Sequence, residues 1–263
     1  MVLDDITISR SIIESYFAKL MKSLSLDVAL VGAGPANLLC GTLLGEAGLN
    51  CALFESKLAP GGGMWGGGMM FNDIVVQQEA RHLLDRLELP YREHAPGYFV
   101  ADSVVAVATL VAACVRSGTR IFNLIKAVDV MFREENGAAR VSGLVLQWSP
   151  VEHLGLHVDP LSIEARFLVD GSGHDAEICS LVARKLDARL DTETGGVVGE
   201  RSMWADRGEN MTLQNSGQVY PGLYVAGMAA NAVKGAPRMG PVFGGMLLSG
   251  EKVAAELIRR CRD

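Results

Sequence analysis

The sequence predicts an α/β protein with a parallel sheet, and three observations support that prediction. Residues 26–31 (LDVALV) form a short β-rich run that leads into the turn sequence GAGP, and a helical stretch follows to about Ala47. Residues 51–54 (CALF) then form a second strand that ends at Glu55. A strand, a helix and a strand in this order are the unit from which parallel sheets are built. Alternating apolar and polar residues over 120–148 add a β-rich section to this unit.

The remaining elements are predicted from the period of the apolar residues along the chain. Residues 1–25 are predicted to form a helical segment that packs on the core of a single domain, residues 26–263, because residues 6–24 have apolar side chains at helical spacing. Along that domain we predict, in order, helices over 75–87 and 104–117, a hairpin that turns at Glu135-Asn136-Gly137, a strand over 163–169, a helix from near Asp175, a long loop over 191–217, a strand over 219–225 and a last helix over 243–260.

Composition excludes several classes of function. The 263 residues are 49% hydrophobic and have a formal net charge of −6, which argues against a nucleic-acid-binding protein because such proteins need a basic face. There is no apolar stretch of the roughly 18 residues that a membrane helix needs, and the first residues do not resemble a signal peptide. The five cysteines are widely spaced and form no CxxC pair, so we expect reduced thiols in a cytoplasmic protein.

Residues 61–68 contain six glycines, interrupted only by Met64 and Trp65. Glycine lacks a Cβ atom and adopts positive φ easily, so backbone amides in such a run can approach a ligand closely. A mobile surface loop is the alternative interpretation. The Met–Trp pair favours a packed segment, and we therefore predict that this run forms part of a binding site.

A dinucleotide site is predicted at the first turn. Gly32 and Gly34 would place backbone amides at a helix N-terminus, which favours a pyrophosphate. Glu55 follows Gly34 by 21 residues, at the end of the second strand, where a carboxylate can accept hydrogen bonds from ribose hydroxyls. Asn37 occupies the place of the third glycine of the fingerprint and weakens the motif. NAD or FAD is the expected ligand, and the alternative is the same unit with an empty turn.

Asp159 and His174 flank the strand predicted over residues 163–169. An extended chain of this length does not bring the two side chains together within one protomer, so they could meet through a fold-back or across a subunit boundary. One carboxylate and one imidazole form an incomplete coordination shell, which suits Fe(II) or a similar ion that leaves positions open for substrate. Ordinary turn chemistry is the alternative for both residues.

Arg238 lies in a turn rich in glycine and proline that leads into the last helix. Its planar guanidinium is suited to a small carboxylate or a phosphate. A surface charge or an intramolecular ion pair is the alternative.

Taken together, these segments resemble the thiamine thiazole synthase family. The resemblance covers most of the chain in the family's order and rests on VGAGP at residues 31–35, the run 60–72, QQEA at 77–80, HVDP at 157–160, GHD at 173–175 and the stretch 237–250. The glycine–Met–Trp–glycine run and RMGPVFGGM are its most specific parts. The family implies a Rossmann-like dinucleotide-binding fold related to flavin reductases, in which NAD is a substrate that the enzyme consumes.

The resemblance also implies an activity and a set of site residues. The family removes nicotinamide from NAD, condenses the opened ADP-ribose with glycine and incorporates sulfur to give an adenylated carboxythiazole. By motif, the NAD or product pocket would be lined by Ala36, Glu55, Ser56, Gly63, Val128 and Met228 together with Gly32 and Gly34. His157 and Asp159 would reach that pocket from a neighbouring protomer. Asp159 and His174 match the Fe(II) ligands, Arg238 matches the residue that binds the glycine carboxylate, and the family suggests a homo-octamer.

His157 indicates which branch of the family the chain resembles. One branch has a cysteine at this position and gives up its own sulfur, so each molecule reacts once. The other branch has a histidine, takes sulfur from free sulfide with the help of iron, and turns over repeatedly. This chain has histidine, and none of its five cysteines falls at the donor position.

Three other functions remain open on the sequence: an FAD-dependent oxidoreductase, a ribose or ribulose bisphosphate synthase in which Arg238 and Lys234 bind phosphate, and a non-catalytic NAD sensor.

Two positions depart from the family pattern. Asn37 replaces a small residue and is expected to weaken the pyrophosphate geometry, and Lys234 stands where an uncharged or aromatic residue is more usual and is expected to tune substrate or effector binding.

Overall fold

The computed structural model describes residues 2–135, 137–186 and 188–262. Its strands are β1 (Ser25–Val31), β2 (Cys51–Glu55), β3 (Asp73–Gln77), β4 (Arg92–Ala95), β5 (Tyr98–Asp102), β6 (Arg120–Asn123), β7 (Ile125–Glu135), β8 (Ala138–Trp148), β9 (Leu161–Asp170), β10 (Gly217–Tyr220) and β11 (Leu223–Val225). Its α-helices are α1 (Asp5–Met21), α2 (Pro35–Glu46), α3 (Arg81–Arg86), α4 (Ser103–Arg116), α5 (Ser149–His153), α6 (Glu177–Lys185), α7 (Ala205–Asn215), α8 (Met228–Lys234) and α9 (Gly244–Arg262).

Five parallel strands form the centre of the main sheet, in the order β11-β9-β1-β2-β6. β1 pairs with β2 in the register Val31↔Phe54 and with β9 in the register Val31↔Asp170. The carboxyl ends of these strands therefore lie side by side at one edge, which is where parallel sheets bind ligands. The predicted Rossmann-like α/β fold is confirmed.

The β-rich section is confirmed as well. β7 and β8 form a long antiparallel hairpin, and β8 continues the main sheet by pairing with the first half of β9. The predicted turn of this hairpin includes Asn136, which lies outside the described residues. A separate three-stranded antiparallel sheet has the order β3-β5-β4.

Three predicted elements were wrong. The helix predicted over 75–87 begins as strand β3, in which Ile74 and Val76 are buried and alternate with more exposed residues. A 3-10 turn (Gln78–Ala80) and α3 follow the strand. The loop predicted over 191–217 contains helix α7. This helix has a polar composition that is typical of a loop, but it buries Thr212. The strand predicted over 219–225 is an antiparallel pair, β10 and β11.

Helix α2 lies in the core, with nine of its 12 residues buried. It packs against α9, and the two backbones lie close together at Gly250. A Cβ atom at Gly250 would lie 2.2 Å from the carbonyl oxygen of Ala36, so a larger residue would force the helices apart. This contact fixes the position of the helix whose N-terminus faces the carboxyl edge of the sheet.

Helix α1 contacts the core through few of its side chains. Tyr16 and Leu20 contact the buried cluster on one face of the sheet, and the Tyr16 ring meets Phe122 edge to face. Most of its other apolar side chains are exposed: Ile6, Ile8, Ile12, Ile13, Phe17 and Met21. Among the described residues, no helix combines the length and the apolar character needed to cross a bilayer.

Candidate functional site

A cavity of about 770 Å³ opens at the carboxyl edge of the parallel strands. Nine of the residues singled out in the sequence line it: Gly32, Gly34, Ala36, Glu55, Ser56, Gly63, His174, Met228 and Arg238. At the place expected for Val128, the cavity is lined by the neighbouring Lys126 and Ala127. The fold therefore assembles most of the predicted set in one pocket, although their assigned roles remain predictions.

The glycine turn forms one wall of the cavity. Gly32 has a φ of +85°, and a Cβ atom there would lie 2.6 Å from the carbonyl oxygen of Gly171, so only glycine fits. Gly34 is the N-cap of α2, and Pro35 follows at the first helical position. The turn therefore presents the N-terminus of a buried helix to the cavity, where the helix dipole favours an anion.

The glycine-rich run packs against this turn and is not a free surface loop. Residues Gly62–Gly66 form a single 3-10 turn, and Met64 is buried in the core. The Gly61 amide donates to the carbonyl oxygen of Ala33 at 2.7 Å, and the indole Nε1 of Trp65 donates to the Pro60 carbonyl at 2.8 Å. The run thus forms a second wall of the same cavity, as the Met–Trp pair indicates.

Asn37 bridges the glycine turn, which differs from the expectation that it weakens the geometry there. Its Nδ2 atom donates to the carbonyl oxygens of Val31 and Gly32, at 2.8 and 2.9 Å. The side chain is buried and lies so close to Gly171 that a Cβ atom on that glycine would be 2.4 Å from Nδ2. The amide therefore fills the space between the turn and β9 and holds both in place.

Replacing Asn37 with alanine should lower the free energy of unfolding by about 2–3 kcal/mol, because two hydrogen bonds from a buried side chain to backbone oxygens are lost. Urea unfolding at a fixed protein concentration measures this loss. Asn210→Ala is the matched control, since its Nδ2 atom donates to the Asp206 carbonyl on an exposed helix surface, and its effect should stay within about 0.5 kcal/mol. If both substitutions lowered the free energy of unfolding equally, the hydrogen bonds of Asn37 would stabilise the protein no more than an exposed hydrogen bond does.

Glu55 is buried at the end of β2, and both of its carboxylate oxygens bind backbone amides. Oε2 accepts from the amide of Ala33 at 2.8 Å, and Oε1 accepts from the amide of Lys57 at 2.8 Å. The carboxylate therefore ties the glycine turn to the second strand before any ligand binds. Glu55 also lines the cavity.

His174 lies on a turn that Asp170, the last residue of β9, organises. The buried Asp170 carboxylate accepts from the amide and hydroxyl of Ser172, at 3.0 and 2.6 Å, and its other oxygen accepts from the amides of Ile178 and Cys179 at the start of α6. Sequence reasoning missed Asp170, because a polar residue at a strand end has no distinguishing pattern.

His174, Glu200 and Arg238 form a cluster at one side of the cavity. The Nδ1 atom of His174 lies 2.7 and 2.9 Å from the two carboxylate oxygens of Glu200. The Nε atom of Arg238 lies 3.3 Å from Glu200 Oε2, and its Nη2 atom lies 3.4 Å from His174 Nδ1. Glu200 was not predicted, because it lies in the segment that we expected to be a long loop.

His157 and Asp159 lie on an exposed segment outside the lining of the cavity. The segment is anchored by Gln147, whose Nε2 atom donates to the Val158 carbonyl at 2.8 Å. Across the described residues, no group of three or more His, Cys, Asp or Glu side chains is placed to hold a metal ion. One chain therefore places His174 in the lining of the cavity and Asp159 outside it.

Two further charged residues, Glu177 and Lys234, differ in their position relative to the cavity. Glu177 lines the cavity, and burial raises the pKa of its carboxyl group, an effect that the nearby Lys126 opposes. Lys234 forms an ion pair with the exposed Asp191 at 3.2 Å and is not among the residues that line the cavity. Lys234, which departs from the family pattern, therefore takes part in a surface ion pair in this structure.

The glycine turn, the carboxyl-edge cavity and the polar cluster define a Rossmann-like protein with a large ligand pocket. Residues 9–243 match the model of the Thi4 family. The chain belongs to the Thi4 family.

Its relatives match over their whole length. A thiamine thiazole synthase of Desulfosudis oleivorans is 53% identical over 260 residues, which is 99% of each chain. One of Methanothermobacter thermautotrophicus is 53% identical over 262 residues and 100% of each chain. The crystal structure of THI4 from Thermovibrio ammonificans superposes with a TM-score of 0.98 at 48% identity and covers 100% of both chains. The resemblance stated from the sequence motifs is confirmed.

Proposed function

We propose that the protein is a thiamine thiazole synthase that converts NAD, glycine and free sulfide into an adenylated carboxythiazole and releases nicotinamide. The observation that carries this proposal is the His174–Glu200–Arg238 cluster, whose His174 and Arg238 line the same cavity as the glycine turn, in a chain of the Thi4 family. The cavity of about 770 Å³ falls in the usual size range of ligand sites. The turn would hold the pyrophosphate of NAD, and Glu55 would accept hydrogen bonds from a ribose.

Arg238 would bind the carboxylate of glycine. Its Nε atom faces Glu200 and its Nη2 atom lies 3.4 Å from His174 Nδ1, so Nη1 and the second N–H of Nη2 would bind an incoming carboxylate. An arginine–carboxylate pair of this kind is charge-assisted and fixes the orientation of its partner. Arg238 would thereby place the amino group of glycine beside His174 and the opened sugar.

The donor atoms fit Fe(II), provided that a neighbouring copy of the chain contributes. His174 supplies an imidazole, Asp159 of a neighbouring protomer would supply a carboxylate, and this mixed donor set is typical of sites that bind Fe(II) and leave positions open. The bound ion would supply Lewis-acid polarisation and hold sulfide close to the substrate. His157 would reach the pocket on the same exposed segment as Asp159.

The thiols of the chain support an external sulfur source. Burial raises the pKa of Cys51 and of Cys114 to about 12 and raises the pKa of Cys40 and Cys179 well above the usual range. Burial also raises the pKa of the half-buried Cys261. Since the thiolate is the reactive form of cysteine, these residues are poor donors, and no cysteine is among the residues that line the cavity.

The decisive experiment follows the product against the enzyme concentration. Anaerobically purified protein is incubated with NAD, glycine, sulfide and Fe(II), and the adenylated thiazole is measured by mass spectrometry. We expect more than one product per protomer, with both sulfide and iron required. One equivalent of product with loss of a protein sulfur would contradict the sulfide route. Bound FAD would identify a flavoprotein. Activity on a ribose bisphosphate would identify a bisphosphate synthase, and binding of NAD without conversion would identify a sensor.

The proposal requires a homo-oligomer, and we propose an octamer whose sites are shared between protomers. The exposed apolar side chains of α1 and those of Leu154, Leu156 and Val158, next to Asp159, are the surfaces that such contacts would cover.

The double substitution Ile13→Glu and Phe17→Glu should therefore dissociate the assembly, because it places two charges on the exposed face of α1. Sedimentation velocity measures the change, and we expect a shift to smaller species. Val115→Glu, at an exposed apolar position of α4, is the control that should keep the wild-type sedimentation coefficient. An unchanged assembly in the double variant would exclude α1 from the contacts.

A further inference from the structure

We propose that Glu200 is a positioning residue that sets both the tautomer of His174 and the orientation of Arg238. This inference rests on the function proposed above. The Glu200 carboxylate is 13% exposed and lies between the imidazole and the guanidinium, with contacts of 2.7 and 2.9 Å to His174 Nδ1 and 3.3 Å to Arg238 Nε. It is the only carboxylate among the described residues that forms an ion pair with either of them.

The first consequence concerns His174. Both oxygens of an ionised carboxylate are acceptors, so a lone pair on Nδ1 facing them would be repelled, and the proton must reside on Nδ1. In a neutral imidazole, Nε2 then carries the lone pair, and within the described residues no hydrogen bond occupies it. A histidine that binds a metal commonly donates its other N–H group to a carboxylate in this way.

The second consequence concerns Arg238. With Nε directed at Glu200, the plane of the guanidinium is fixed. Nη2 lies 3.4 Å from His174 Nδ1, so Nη1 and the second N–H of Nη2 remain for a substrate carboxylate. Without Glu200, the half-exposed arginine side chain would sample several rotamers. Glu200 would therefore lower the entropic cost of binding glycine.

The backbone on both sides holds Glu200 in this place. The amide of Gly199 donates to the Ala232 carbonyl at 2.9 Å, the amide of Arg201 donates to the Ala236 carbonyl at 3.0 Å, and the amide of Arg238 returns a hydrogen bond to the Arg201 carbonyl at 3.2 Å. These contacts tie the Glu200 segment to the Arg238 segment. The carboxylate is thus part of an ordered pairing, unlike a surface ion pair between two free side chains.

Glu200→Gln tests the inference in the full-length protein without substrates. Cobalt(II) is titrated as a spectroscopic substitute for Fe(II), and its dissociation constant is read from the visible absorption of the bound ion. We expect the constant to rise about 10- to 100-fold, the usual cost of losing an outer hydrogen-bond partner of a metal ligand. Glu200→Asp should recover part of the affinity. Glu251→Gln is the matched control: Glu251 forms an exposed pair with His82 at 3.1 Å, and its substitution should leave cobalt binding unchanged.

A second measurement separates positioning from a general loss of structure. The KM for glycine should rise about tenfold in Glu200→Gln while the thermal unfolding midpoint stays near that of Glu251→Gln. Unchanged cobalt affinity and unchanged glycine KM in Glu200→Gln would overturn the inference, as would a wild-type protein that binds no cobalt. If the wild type makes no thiazole but Glu200→Gln still loses cobalt affinity, the proposed function fails and the positioning role stands.

Discussion

Replacing Arg238 with glutamine is expected to lower kcat/KM for glycine about 100- to 1,000-fold. The guanidinium offers two parallel, charge-assisted donors to a carboxylate, and glutamine offers a single neutral one. The loss corresponds to about 3–4 kcal/mol of transition-state stabilisation. Initial rates at varied glycine and saturating NAD, sulfide and Fe(II) measure it. Arg238→Lys keeps the charge without the fork and should fall between the wild type and Arg238→Gln.

The matched control is Lys234→Gln, four residues earlier in the chain. Lys234 pairs with the exposed Asp191 and does not line the cavity, so its loss should change kcat/KM by less than about twofold. If Arg238→Gln left the glycine dependence unchanged, the glycine carboxylate would have to bind elsewhere. If both variants lost activity equally, the effect would come from the charge of the whole segment.

Replacing Glu55 with glutamine is expected to weaken both the fold and the binding of NAD. The two carboxylate oxygens of Glu55 accept from two different backbone amides, those of Ala33 and Lys57. Glutamine has one carbonyl oxygen, so its NH2 group must face one of these amide donors. We expect the free energy of unfolding to fall by about 3 kcal/mol and the dissociation constant of NAD to rise about 100-fold, because buried charge-assisted hydrogen bonds are lost.

Chemical unfolding and calorimetric titration of NAD measure the two effects separately. Glu46→Gln is the control, because Glu46 forms an exposed ion pair with Arg86 at 2.5 Å, and its removal should cost less than about 1 kcal/mol. Reduced stability with unchanged NAD affinity would limit Glu55 to a structural role in the turn.

The parts of the molecule that the sequence predicts well are those set by local chemistry. The glycine turn, α2 and β2 follow one another within about 30 residues, and turn residues together with apolar periodicity define them. The packing of the glycine-rich run was indicated by Met64 and Trp65 for the same reason. In these segments the local preferences and the global fold agree.

The parts that the sequence does not predict depend on contacts between distant residues. Glu200 lies in a polar segment without periodicity, and it meets His174, 26 residues away, only because that segment pairs with the backbone around Arg238. Helix α7 was not predicted either, because its polar composition resembles that of a loop. β3 was wrongly predicted as a helix because it is stabilised by pairing with β5, and the local sequence carries no signal for that pairing.

The burial of the cysteines has a practical consequence for an enzyme that is proposed to handle sulfide and iron. When oxygen reaches such a mixture, it oxidises sulfide to polysulfides and is itself reduced to peroxide, and these products convert accessible thiolates into persulfides and sulfenic acids. Cys40, Cys51, Cys114 and Cys179 are buried, and their raised pKa values leave almost no thiolate at neutral pH. Among the described residues, Cys261 at the end of α9 is the one cysteine that is partly exposed to such reagents. Burial therefore shields these four thiols from reactive sulfur and preserves the core packing to which their side chains contribute.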